Sequence, residues 1–270
     1  MGESHTPPRG STRPATSVAH HARVGNHWIG GKDTYEVDRQ AGDQLASLVP
    51  VVRDIARADR EFPGRAVTYP AGERGVRHSP AVGTGLPAAD NTHEIAQRIA
   101  PGSRIVHVDS DPVVPMPART LLTGTRDGAT DSVEADVHAP DALLGRAAET
   151  LDFDRPAAAR TPGILTFVLD TEKARGTARR IMDTVPSGSF LVLTHPAHGA
   201  GMRGEDQLPA MEFWNENATP PITARSAEDI SALLEALNPV GPGLVSCSQW
   251  HARAGSAPVV PRYGAVAVKP

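Results

Sequence analysis

The chain has 270 residues, 39% hydrophobic and 21% charged, with 25 glycines and 25 prolines; this suits one α/β domain with an appendage and excludes a low-complexity chain. Its 27 basic and 31 acidic side chains give a formal charge of −4, which disfavours nucleic acid as a partner because counterion release needs clustered cationic surface. The single cysteine, Cys247, excludes an intrachain disulfide, and no apolar run reaches the ~20 residues of a membrane helix, so a cytoplasmic protein without a membrane partner is expected.

Residues 1–16 are rich in Pro, Ser, Thr and Arg, lack an apolar stretch, and are expected to form a disordered tail. Residues 17–75 read as a helical cap. Val37, Leu45 and Leu48 share a face with Ala41, Val51, Val52 and Ile55 continue the pattern, and Pro63 opens a further helical stretch that Pro70 kinks or ends. Over residues 76–270 short apolar runs alternate with helical periods, the mark of parallel strands joined by crossover helices. Strands are expected to end at Val82 and to span 104–109, 132–136, 163–170 and 189–195, with two more at 243–247 and 263–268. Helices are expected at 92–100, around 113–122, at 141–151 and along the Ala178, Ile181, Met182, Val185 stripe. A last helix starts at Ser226, a capping residue, and buries Ile230, Leu233, Leu234 and Leu237. Pro80 and Pro162 fall where interior strands would lose ladder hydrogen bonds, so both strands are expected to be short or irregular.

The chemistry sits in the turn Val82-Gly83-Thr84-Gly85-Leu86-Pro87-Ala88, between a strand and a helical period. Gly83 and Gly85 let the backbone turn sharply and approach a ligand that a Cβ would hold off, while the helix start offers free N–H groups. A glycine turn that merely closes a βα loop has the same local pattern. Asp109 ends the next strand, where a carboxylate accepts from both hydroxyls of a ribose, so the two features together suggest an adenosine-containing ligand. Asp136, after the following strand, is placed to accept from an adenine amine or to cap a helix. Gly83, Gly85 and Ala88 also satisfy the dinucleotide pattern G-x-G-x-x-G/A, which keeps an NAD-dependent oxidoreductase as an alternative. Against it, Pro87 removes an amide where a diphosphate needs one. S-adenosylmethionine has no diphosphate and suits this loop better.

Longer strings carry more. ARV-x(3)-WIGGKD at 22–33, VRDIARADREF-x-GRAV at 52–67, VGTGLPAADNTHEIAQ at 82–97, VHVDSDPVV at 106–114, PSGSFLVLTH at 186–195 and the ending RYGAVAVKP together resemble a family of actinobacterial S-adenosylmethionine-dependent methyltransferases formerly catalogued as a domain of unknown function. The resemblance runs from Ser17 to Pro270. It implies an α/β class I methyltransferase fold, Rossmann-like, with a mostly parallel central sheet flanked by helices and an N-terminal helical extension. It implies S-adenosylmethionine as cofactor, with Gly83, Thr84 and Gly85 as its loop, Asp109 and Ser110 at the ribose, and Asp136 and Val137 near the adenine. Trp28, Gly30, Gly31, Lys32 and Asp33 would fold back over that site. The chain departs from the family pattern at Gly25, Asn26 and His27, where Tyr-Asp-Tyr is usual, at Ala81 for an Asp and at Thr166 for a His. Ala159, Arg160, Thr161 and Pro162 replace an apolar run. These departures support an alternative of another class, a binding or regulatory protein that keeps the fold without the chemistry.

Methyl transfer from a sulfonium needs in-line placement first, and a general base only for hydroxyl or protonated amine acceptors. The catalytic candidates are His27, Asp33, Thr166 and His195, although a His ending a strand can simply bond to a loop. Trp28 can lay its face on the adenine or the sulfonium, or anchor the N-terminal segment. Met211, Phe213 and Trp214 are either an acceptor wall or core. His20, His21 and His27 lack a Cys or Glu at ligand spacing, so no metal is expected, and Cys247 reads as a buried apolar residue. The expected acceptor is a small molecule, and the sequence specifies neither its identity nor the oligomeric state.

Overall fold

A computed structural model describes residues 17–85, 91–110, 124–198, 207–252 and 258–270. The tail expected at 1–16 and the helix expected around 113–122 lie outside the described residues. Before the main sheet come a short strand, β1 (Ala19–His20), and three helices, α1 (His21–Trp28), α2 (Glu36–Leu48) and α3 (Val52–Thr68). Pro63 was expected to open a helix and instead lies inside α3. The apolar face of α3 explains this: Ala58, Phe62, Ala66 and Val67 are buried on both sides of the proline, and that packing outweighs one lost backbone bond. Pro70 falls in the π-helical turn Tyr69–Glu73 that ends the segment.

The chain then alternates strand and helix: β2 (His78–Val82), α4 (Thr92–Ile99), β3 (Arg104–Asp109), β4 (Ala129–Glu134), α5 (Pro140–Ala147), β5 (Ala158–Pro162), α6 (Thr171–Asp183) and β6 (Phe190–Pro196). Further on lie α7 (Gln207–Asn217), β7 (Ala218–Thr219), α8 (Ala227–Ala232), β8 (Asn238–Pro239), β9 (Val245–Ser246) and β10 (Arg262–Val268). Ser226 caps α8 as expected, accepting from the Asp229 N–H. The eight-stranded sheet runs β4-β3-β2-β5-β6-β10-β8, with β9 also on β10. The strands β2 to β6 pair in parallel, and β10 is antiparallel to β6. Helices cover both faces, so strands are apolar on both sides: Leu191 and Leu193 pack with α5 and α6, while Phe190 and Val192 pack with Phe62 and Trp250. A smaller core joins Val24, Ala41 and Leu45 to Ala210 and Trp214 of α7. Among the described residues no helix is long and apolar enough to cross a membrane.

The fourth strand of the parallel set differs from expectation. It was placed at 163–170 and is found at Ala158–Pro162. Gly163 turns out of the sheet at φ +67, and Ile164–Phe167 form a 3-10 turn. The run Ile164-Leu165-Thr166-Phe167-Val168 is apolar because Leu165 and Val168 drop into the core from that turn, whereas the alanine-rich β5 is made a strand by its neighbours β2 and β6.

Both prolines lie on one seam. Alternate residues of a parallel strand turn their backbone groups to the same neighbour, and Gly83 donates to Val108 on β3, so residues 80 and 82 of β2 face β5. With Ala81 opposite Arg160, the donor missing at Pro80 would have served the Ala158 carbonyl, and the Ser79 hydroxyl donates to that carbonyl instead, at 2.6 Å. Gly163 donates to Thr194 on β6, so Pro162 faces β2, where its missing donor would have met the Val82 carbonyl. The sheet thus tolerates two central prolines by thinning the β2/β5 ladder and substituting a side chain. The strand order reverses at this seam, which is where open α/β sheets hold their ligands.

Candidate functional site

A cavity of about 220 Å³ opens at the carboxyl ends of β2 and β5. Its floor is the loop after β2. Gly83 (φ +75) and Gly85 (φ +63) adopt the left-handed conformation that favours glycine. A Cβ on Gly83 would stand 2.6 Å from Ile164, while a Cβ on Gly85 would point into open space that a ligand can use. Asp109, at the end of β3, accepts from the Gly85 N–H at 2.9 Å, which places its carboxylate beside the loop.

The roof is α1, which lines the cavity through His21, Gly25, Asn26 and Trp28. The two glycines of GGKD end this helix: Gly30 (φ +86) donates to the His27 carbonyl and Gly31 to that of Asn26, the paired bonds of a Schellman motif. A Cβ on Gly31 would lie 2.0 Å from Asn26 Oδ1. Trp28 Nε1 donates to the Gly42 carbonyl, and Arg23 meets the buried Asp38 at 2.8 Å. Asp38 also accepts from the His20 and Tyr35 N–H groups, tying α1 to α2.

The remaining wall is charged. Arg262 Nε of β10 lies 2.9 Å from Asp59 of α3, without hydrogen-bond alignment, and Thr194 donates to the same carboxylate. Arg160 of β5 is 1% exposed, and burial lowers its pKa to about 9. Three buried donors among the lining residues have no partner: Asn26 Nδ2, Arg160 Nη2 and Arg262 Nη2. Such groups are costly to leave unpaired, and all three belong to residues of the cavity wall. Burial lowers the pKa of His21 to about 3 and holds that of His107, near Arg160 and His93, well below its ordinary value.

The structure brings Trp28, Gly83, Thr84, Gly85, Asp109 and Ser110 into this lining. Lys32 and Asp33 are exposed and outside it, and Gly30 and Gly31 shape the roof from behind. Asp136 is exposed, and its carboxylate meets the backbone N–H and ring of His138 in the turn before α5, whose N-cap is Ala139, so it neither lines the cavity nor caps the helix, with Val137 buried beside it in the core. His27 pairs with Asp43 at 3.0 Å. Thr166 donates to the Thr223 carbonyl. His195 is fully buried, its Nδ1 bonded to the Pro196 carbonyl and its Nε2 to Arg225. A guanidinium only donates, so both ring nitrogens are engaged and no lone pair is left for proton abstraction. Trp214 donates to the Pro220 carbonyl and sits in the α2–α7 core, and Cys247 is buried with its thiol pushed up to about 12. Sequence reasoning passed over Asp59, Arg60 and Arg262, weighed His21 only as a metal ligand, and met Arg160 only as a departure from an apolar run.

The sequence pattern of the S-adenosyl methyltransferase family matches residues 9–270. No curated protein matches the chain. Among solved structures, a DUF574 family protein from Streptomyces avermitilis is 37% identical, with a TM-score of 0.90 over 96% of this chain and 100% of that one. A candidate methyltransferase from Thermobifida fusca is 29% identical, with a TM-score of 0.82 over 94% of this chain and 96% of that one. The mitomycin 7-O-methyltransferase is 16% identical with a TM-score of 0.54, covering 87% of this chain and 69% of its own, a likeness of fold alone. The family match decides between the two adenosine cofactors that the glycine pattern left open: this chain belongs to the S-adenosyl methyltransferase family, with the sheet and helix arrangement of class I methyltransferases.

Proposed function

We infer that the chain binds S-adenosylmethionine in the cavity at the β2/β5 seam and directs its methyl group to a small-molecule acceptor, with residues 17–75 capping the domain of residues 76–270. The observation that carries this reading is the loop Gly83–Gly85: both glycines are left-handed, Gly83 packs on Ile164, and Gly85 leaves open the space a Cβ would fill, directly beside the Asp109 carboxylate. Asp109 would accept from the ribose hydroxyls, and the unpartnered donors of the wall suit the acceptor atoms of the same molecule. When bound, that cofactor supplies a sulfonium methyl open to in-line displacement. The chain's own contribution is placement, worth up to ~7–11 kcal/mol when geometry is ideal. The roof helix and the apolar Ile55, Ile164 and Phe167 would exclude water around the transferring carbon.

Calorimetric titration with S-adenosylhomocysteine tests this. Micromolar binding is expected, abolished in Gly85→Asp and weakened in Asp109→Ala by about 1.5–3 kcal/mol, the worth of a charged hydrogen-bond partner. Equal affinity in wild type and both variants would remove the cofactor from this loop. Binding without turnover on a broad acceptor panel would instead favour the non-catalytic alternative.

A further inference from the structure

Arg160 is the one cation lining the cavity that is fully buried and has no carboxylate partner among the described residues. It stands in the middle of the sheet, opposite Ala81, which precedes Gly83 by two residues. Its Nε donates to the Ser79 hydroxyl at 2.9 Å, and Ser79 is itself pinned to the Ala158 carbonyl. That pair of bonds fixes the side chain and leaves Nη2 without a partner. The neighbouring rings offer no negative charge: His107 is joined to His93 at 3.2 Å and both are held neutral by burial, Arg60 adds a second cation beside His107, and Glu94, 4.0 Å from His93, is exposed. Of the two acids of the wall, Asp59 is engaged by Arg262 and Thr194, and Asp109 accepts from the Gly85 N–H. A guanidinium presents a planar fork that matches a carboxylate.

We propose that Arg160 is the carboxylate-binding residue of the cavity, pairing with an anionic group of a ligand bound at the β2/β5 seam. This rests on the S-adenosylmethionine reading of the cavity. The carboxylate comes either from the amino-acid end of the cofactor or from an acidic acceptor, and the two sources separate experimentally.

The experiment titrates wild type, Arg160→Met and Arg160→Lys with S-adenosylhomocysteine and with 5′-methylthioadenosine, which keeps the nucleoside thioether and lacks the amino acid. If the cofactor supplies the carboxylate, Arg160→Met weakens S-adenosylhomocysteine by 10- to 100-fold, leaves methylthioadenosine within twofold, and Arg160→Lys recovers part of the loss. If the acceptor supplies it, both nucleosides bind the variants as they bind wild type, and benzoate, titrated into the S-adenosylhomocysteine complex, binds wild type and not Arg160→Met. Unchanged nucleoside affinities with no Arg160-dependent benzoate binding overturn the proposal while leaving the cofactor site standing. Failure of wild type to bind either nucleoside overturns the cavity reading itself. If Arg160→Met does not fold, Arg160→Lys and Arg160→Gln carry the same comparison.

Discussion

Two buried arginines stand one strand apart in their attachment, and their surroundings treat them in opposite ways. Arg225 is 2% exposed, and its guanidinium donates to the carbonyls of Leu165 and Val168 and to the His195 ring, with Nε on the Thr171 hydroxyl. Arg160 is as deeply buried, yet Ser79 satisfies its Nε and nothing meets Nη2. The first is a bracket that holds the turn after β5 against the end of β6. The second keeps an unpaired donor on a residue that lines the cavity. Residue type and burial are the same, so the acceptors supplied by the surrounding chain separate a structural cation from one kept for a ligand.

Substitution by methionine should break this comparison most sharply. Arg225→Met strips donors from at least two buried carbonyls and a ring nitrogen, and should cost on the order of 3–5 kcal/mol, a fall in melting temperature of roughly 10 °C for a chain of this size. Arg160→Met removes a buried charge that has no carboxylate partner and leaves Ser79 still bonded to the Ala158 carbonyl, so the ligand-free protein should keep its stability within about 1 kcal/mol or gain some. Thermal melts of the two variants side by side check both statements, and equal losses would erase the distinction.

Acid sharpens the same contrast through the histidines beside each arginine. His195 has its pKa lowered to about 3 and His107 well below 6.5, both chiefly by burial with an arginine adding to the effect. The unfolded chain protonates these rings near pH 6.5 while the folded one does not. Stability should therefore be flat in these groups above that pH and fall as the pH drops from there toward 3, by at most about 1.4 kcal/mol per pH unit for each ring. Urea titrations at pH 7, 6 and 5 measure the slope, and His195→Asn should reduce it. A separate effect belongs to the loop. Gly83→Ala combines a left-handed backbone with a contact on Ile164 and should cost about 1–3 kcal/mol, read in the same titrations.

The legible and illegible parts of the molecule divide along the same physical line. Gly83, Gly85 and Asp109 could be read from sequence because a glycine's freedom and a carboxylate at a strand end are local properties. The turn at Gly163 was missed because Leu165 and Val168 are apolar for the sake of the core beneath them, and period alone cannot tell a buried turn from a strand. The alanines of β5 carry little strand preference, and pairing with β2 and β6 decides their state. The roof was only half visible. The GGKD string marked the place, but the packing that puts Asn26 and His21 over the cavity, and leaves Lys32 and Asp33 outside, depends on contacts to α2 14 and 16 residues away. His195 looked catalytic in sequence because its partner, Arg225, lies 30 residues further along the chain.

Pro162 has a consequence of its own. A proline contributes to a site by what it withholds: with no N–H at position 162, the Val82 carbonyl lacks the ladder donor that a parallel neighbour would bring, at the point where β2 runs into the glycine loop. That acceptor belongs to the main chain, so no replacement of the side chain at 82 deletes it. Its availability is written instead one strand away, and exchanging Pro162 for a residue with an amide hydrogen would close it without touching any side chain of the glycine loop.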